Sequence, residues 1–171
     1  MKELEEKNID SLIIDVRDNT GGYLSGAHEI ASFFLEEGEV IYQLRQRAVT
    51  TIEKVTSSEY RSYPIYVLVN SNSASASEIL AAALRDSYSG DVLLIGETTF
   101  GKGLIQATST LSSGAMIRYS NAEWLTPNGE AVNGIGITPE IEIRFEPPED
   151  EILTHENDNQ LQEALRRITD R

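Results

Sequence analysis

Three short apolar runs do most to limit what this chain can fold into: Ser11–Val16 (SLIIDV), Pro64–Asn70 (PIYVLVN) and Asp91–Ile95 (DVLLI). Each is nearly continuous rather than alternating, as in strands covered on both faces, and each ends in a loop of turn residues. Helical spacing fills two of the intervals. Leu24, Ala27, Ala31, Phe34 and Leu35 share one face across Tyr23–Glu37, and Gly38 suits the position just past a helix end. Ala76–Asp86 is an alanine-rich helix. Later segments are strand-rich. Val40–Leu44 and Val49–Val55 predict a strand pair, and Leu104–Thr110 with Met116–Ser120 predicts a hairpin about Ser112–Gly114. Trp124–Thr126 and Ile141–Phe145 add short strands. The class is α/β with an irregular sheet. Residues 1–145 form the core, and 146–171 read as an acidic linker with Pro147 and Pro148, then a short amphipathic helix over Asn159–Ile168.

Charge removes several functions. Lys plus Arg number 14 against 28 Asp plus Glu, a formal net charge of -14. That argues against a surface that tracks nucleic-acid phosphates and against an anionic-membrane binder. Seven of the acids lie in Glu146–Glu163, where no Lys or Arg occurs, so much of the excess is assigned to a tail. The absence of cysteine excludes disulfides and thiolate chemistry and leaves the redox compartment open. His28 and His155 are too few for a histidine-rich metal cluster. No run approaches the ~20 apolar residues of a membrane span. Met1–Asp10 has no apolar core and no cleavage site, so it is not a signal peptide. It reads as the end of a helix entering a strand, as if the chain opened in mid-motif.

The chemistry-bearing segment is Val69–Leu80, VNSNSASASEIL. A buried strand ends, small hydroxyl residues come next, and a helix begins. A serine there can stand on a sharp turn, with the new helix's first N–H groups facing a developing oxyanion. The plain alternative is a capping box, with Ser75 as N-cap and Glu78 three residues on. Spacing does not choose among Ser73, Ser75 and Ser77. A nucleophilic serine needs a base, and neither histidine lies in a turn cluster. Lys102 does, between Gly101 and Gly103 after a buried strand. To act as a base it must be held neutral, which burial accomplishes by disfavouring the ammonium. Lys102, Leu104 and Gln106 share a face if a strand begins here, so Gln106 can hold the lysine nitrogen. The alternative is a solvated lysine in a glycine loop.

Gly96–Lys102 also fits G-x-x-x-x-G-K, but Gly103 stands where Ser or Thr would bind magnesium, and the residues after it are strand-like instead of helical. Nucleotide binding is rejected. The turn Asp18-Asn19-Thr20-Gly21-Gly22 joins a buried strand to a helix and offers further N–H groups. Taken alone, it is an ordinary connecting turn.

Together LIIDVRDNTGGYL, VLVNSNSASASEILAAAL, GETTFGKGLIQ and WLTPNGEAVNGIGITPEIEI, in that order, resemble the C-terminal processing peptidases, or tail-specific proteases. The resemblance covers about Ile9–Ile143. It implies a crotonase-like α/β spiral with flanking helices, and a serine endopeptidase acting near the C-termini of unfolded or tagged polypeptides. It implies Ser75 as nucleophile, Lys102 as base, Gln106 as its assistant, and an oxyanion hole from Ala76 and Gly21 or Gly22. No metal or cofactor is implied. The partners implied are polypeptides with extended C-terminal tails; a PDZ domain is expected in the full-length protein, homo-oligomers are allowed, and the setting is extracytoplasmic. This chain carries neither the PDZ domain nor the strands the family places upstream, so it is expected to be a poor protease alone. Two rivals stand beside this reading: a non-catalytic module binding a peptide or apolar ligand, and a thioester-processing enzyme of the same fold.

Overall fold

A computed structural model describes residues 1–147 and 152–170. Part of the expected linker, from Pro148 to Glu151, lies outside the described residues. The elements are α1 (Lys2–Glu5), β1 (Leu12–Asp15), α2 (Leu24–Ala31), β2 (Val40–Gln46), β3 (Val49–Lys54), β4 (Ile65–Val69), α3 (Ala76–Ser87), β5 (Val92–Gly96), β6 (Leu104–Thr110), β7 (Met116–Leu125), β8 (Ile141–Glu142) and α4 (Asn159–Thr169). The α/β class is as expected.

The three apolar runs become neighbours in one parallel sheet, ordered β1-β4-β5-β8. Residues of β1 pair with β4 from Leu12↔Ile65 to Asp15↔Leu68, and β4 pairs with β5 from Ile65↔Val92 to Val69↔Gly96. Side chains alternate across a strand, so β4 serves two cores. Ile65, Val67 and Val69 join the larger one with Ile79, Leu84, Phe34 and Trp124. Tyr66 and Leu68 face the other way and pack with Ile95 and Ala164 of α4. This explains the unbroken apolar run: neither face of β4 meets water.

A second, antiparallel sheet is ordered β3-β2-β7-β6. Its β6–β7 hairpin matches expectation, and the short strand expected at Trp124 is the inner end of β7. Two expectations are corrected. The first helix stops at Ala31 instead of reaching Glu37. There Ser32 Oγ donates to His28 O (2.8 Å), the chain tightens into a turn with Phe34 N–H donating to Ala31 O (2.9 Å), and both Phe34 and Leu35 turn into the core. Gly38 instead donates its N–H to Val55 O (2.9 Å) at the mouth of β2. The second correction concerns the acidic end. Helix α4 is a packed layer rather than a tail, with Gln160 and Ala164 fully buried and Tyr66 donating its hydroxyl to Arg167 O (3.2 Å).

Candidate active site

Parallel neighbours send their carboxyl ends the same way, and ligands in open α/β sheets gather there. Here three adjacent strands contribute: β1 leads into the turn 17–22, β4 into 70–75, and β5 into 97–103. The loops that carry Gly21, Ser75 and Lys102 therefore leave the same end of one sheet because of strand order, although they are far apart in sequence.

Geometry separates the three serines. Ser73 is fully buried, and its Oγ donates to Val16 O (2.8 Å) and accepts Asn70 N–H (3.0 Å). Ser77 is buried in the first turn of α3. Ser75 is half-buried at the N-cap with φ +58° and ψ −117°, a conformation that costs a non-glycine residue about 1–3 kcal/mol. Both readings of the segment thus meet at one residue. Ser75 is the cap of α3, and it is also the serine displayed on a strained strand-to-helix turn. Next to it, the Ala76 N–H at the first helical position has no partner among the described hydrogen bonds.

Gly21 is pressed against this turn. At φ +96°, a Cβ on it would lie 2.6 Å from Ala74 O, 2.8 Å from Ser75 Cβ and 2.9 Å from Ala76 N. Only glycine fits. Its N–H donates to Asn19 Oδ1 (3.0 Å), while Gly22 is exposed with open space where a Cβ would be. The contact is locked from both sides. Ala74 N–H donates to Asn19 O (3.0 Å), and Asp18 accepts Asn70 Nδ2 (3.0 Å) and Asn72 Nδ2 (2.8 Å). Those bonds from Asn72 and Asn70 hold the Asp18 carboxyl below its ordinary range.

Sequence reasoning sees Glu78 only as half of a capping box. In the structure its carboxylate is fully buried and ties the Ser75 turn to the Lys102 loop. Oε2 accepts Ser75 N–H (2.8 Å) and Lys102 N–H (2.9 Å), and Oε1 accepts Gly101 N–H (2.7 Å) and Thr99 Oγ1 (2.6 Å). The signal available is the S-x-x-E spacing; its partners 21 to 24 residues downstream are not visible from it. The lysine loop is further fixed by Trp124, whose Nε1–H donates to Lys102 O (2.8 Å), and by Phe100 N–H donating to Ser73 O (3.0 Å).

The Lys102 side chain corrects an expectation. It is exposed, as are Leu104 and Gln106 on the same outward face of β6, and no described hydrogen bond joins Lys102 to Gln106. The reason is positional: the loop backbone is anchored inward on Glu78, so the side chain projects beyond the body of the chain. His28 plays no part in the site; its Nε2 lies 3.2 Å from Lys54 O. Among the described residues no helix is long and apolar enough to cross a membrane.

Comparison with known proteins agrees with the resemblance. A sequence model of peptidase family S41 matches residues 1–143. The chain is 39% identical over 145 residues to the carboxy-terminal processing protease CtpB of Bacillus subtilis, covering 84% of this chain and 30% of that protein. It is 36% identical over 169 residues to a carboxyl-terminal-processing protease of Picosynechococcus, covering 99% of this chain and 40% of that one. The solved structure of a photosystem II D1 C-terminal processing protease superposes with a TM-score of 0.78 at 34% identity, over 91% of this chain and 39% of the other. The chain thus spans 30% to 40% of the length of these relatives. With a family match over most of its length, the chain belongs to peptidase family S41.

Proposed function

We propose that this chain is the catalytic core of a serine endopeptidase that cleaves near the C-termini of unfolded or tagged polypeptides. Ser75 attacks the peptide carbonyl, and Lys102 takes its proton and later returns it to the leaving amine. Gln106 steadies the lysine nitrogen. Ala76 N–H and an N–H of Gly21 or Gly22 receive the oxyanion, the Gly21 N–H being one that must first leave Asn19 Oδ1. The observation that supports this most is Ser75 itself, a strained non-glycine residue tied through Glu78 to the Lys102 loop. Backbone strain persists only where surrounding structure over-determines it, and it gathers at functional sites.

Lys102 is exposed in this chain, so catalysis needs a cover that excludes water and keeps the amine neutral. Substrate tails adding as strands to a sheet edge would supply part of it. We assign the crotonase-like spiral, an extracytoplasmic setting and a partnering PDZ domain to the same reading, with homo-oligomers allowed.

A second reading is favoured by one observation. An open groove of about 340 Å³ lies beside Gly21 and Ala76, lined by Ile14, Val16, Ala27 and Leu80 together with the polar Asp15, Asn19 and Ser77, and a non-catalytic module could hold a peptide or apolar ligand there. A fluorophosphonate probe separates the two. A protease is labelled at Ser75 and loses both labelling and peptide cleavage in Ser75→Ala, whereas Ser73→Ala and Ser77→Ala keep much of both. A full-length protein that binds the peptide without being labelled would establish the binding module instead.

A further inference from the structure

We infer that helix α4 positions the oxyanion turn, acting through Asp158 on Arg17; this rests on the protease reading of that turn. Arg17 lies two residues past the end of β1, where the turn begins. Its guanidinium is gripped from two sides. Nε and Nη2 bind Asp15 (3.0 and 2.7 Å), while Nη1 and Nη2 fork onto Asp158 Oδ1 and Oδ2 (3.0 and 2.7 Å). Nη1 also donates to Gln160 Oε1 (3.1 Å). The Arg17 side chain is 14% exposed and that of Asp158 5%.

Such a buried pair is a weak source of net stability, because removing two charges from water offsets most of their attraction. A planar fork is, however, an effective locator, since two parallel hydrogen bonds fix direction as well as distance. Here it locates Arg17. The next residues carry that placement onward: Asp18 N–H donates to Asn70 Oδ1 (3.0 Å), Asn19 O accepts Ala74 N–H (3.0 Å), and Gly21 abuts Ser75 and Ala76. The α4 end of the fork is equally fixed. Asp158 is the N-cap and accepts Leu161 N–H (3.0 Å), and Gln160 Nε2 donates to Ile143 O (2.7 Å). A segment 141 residues away in sequence therefore sets the start of the turn that faces the nucleophile.

The test uses Asp158→Asn in the intact protein, because asparagine still caps a helix while losing the charge that holds Arg17. Hydrogen exchange of residues 18–22 is expected to quicken about tenfold while α4 stays protected. On an unstructured peptide kcat is expected to fall about tenfold with little change in KM, the signature of a misplaced reacting group. Asp158→Glu should recover part of both. Arg17→Lys, which leaves the α4 cap untouched, should loosen the same residues and decides the matter if Asp158→Asn also opens α4. Unchanged exchange at 18–22 in both variants, or faster exchange with kcat intact, overturns the inference. If the wild-type protein neither cleaves nor labels at Ser75, the protease reading fails; the exchange comparison still decides whether α4 places the turn.

Discussion

Ser75 and Lys102, 27 positions apart, donate their backbone N–H groups to the same atom, Glu78 Oε2, at 2.8 and 2.9 Å. The two turns that carry the proposed chemistry are thereby held to one buried point. An amide in place of this carboxylate has one acceptor oxygen, and its NH₂ would face N–H donors. Glu78→Gln should therefore lower stability by about 2–4 kcal/mol, through lost charge-assisted bonds and orphaned donors. For a chain of this size each kcal/mol moves Tm by about 2–4 °C, so a fall of roughly 4–16 °C is expected in a thermal melt. An unchanged Tm would show that the carboxylate does not hold the site together.

The two glycines of the turn should respond oppositely to alanine. Gly21→Ala places a methyl within 2.6–2.9 Å of backbone and Ser75 atoms at φ +96°, so the turn must move. Probe labelling of Ser75 should be lost or cut by about 100-fold, the scale of a ~1 Å displacement. Gly22→Ala meets open space and should leave labelling nearly intact. Equal responses would contradict the contact.

Strain at Ser75 predicts a stability ranking. Ser75→Gly and Ser75→Ala both remove the hydroxyl, but glycine adopts φ +58° without penalty. Ser75→Gly should be more stable than Ser75→Ala by about 1 kcal/mol, read from urea midpoints at equal m-values. Both should be inactive.

Lys102→Arg and Lys102→Ala should both abolish cleavage, since guanidinium does not deprotonate and alanine has no base. Neither should change Tm appreciably, because the side chain is exposed and its loop is fixed by backbone bonds to Glu78 and Trp124. A Lys102→Arg protein with substantial activity would remove lysine from the mechanism.

Acid should weaken the α4 contact. Burial pushes the Asp158 carboxyl upward, but the Arg17 hydrogen bonds and Leu161 N–H outweigh it and hold the group below its ordinary value. A folded-state pKa below the unfolded one gives stability that is full above the unfolded value, about 4, and is lost as pH falls through the folded value. Arg17 stays charged throughout, and the side chain of Asp15, the other carboxylate on it, is 45% exposed. Urea unfolding from pH 6 to 3 should show a shallower acid decline in Asp158→Asn than in wild type. Parallel declines would mean that Asp158 does not contribute.

Local features of the fold are legible in the sequence, and contacts made at a distance are not. Ile65–Val69 announces a doubly covered strand by its own composition, and Ser75–Glu78 announces a helix start within four residues. The end of α2 is obscured because Phe34 and Leu35 keep helical spacing while packing from a turn. Flanking glycines make Lys102 look like an inward residue, yet the direction of its side chain depends on where Glu78 and Trp124 pull the backbone. The Arg17–Asp158 fork is hidden for a similar reason. An acidic stretch looks solvated until the distant partner that buries it is known.

Strand β4 leaves a last consequence. Because both of its faces are apolar, a slip of one residue would exchange Val67 for Leu68 and expose nothing polar to correct the error. Water cannot police this register. Shape does so instead. Tyr66 reaches Arg167 O with its hydroxyl only when it faces α4, and Gly96 lies so close to Val69 O that a Cβ would stand 2.0 Å away. A side chain at 96 would shift β5 against β4 and carry the loops after both strands out of step, separating Ser75 from Lys102 without touching either.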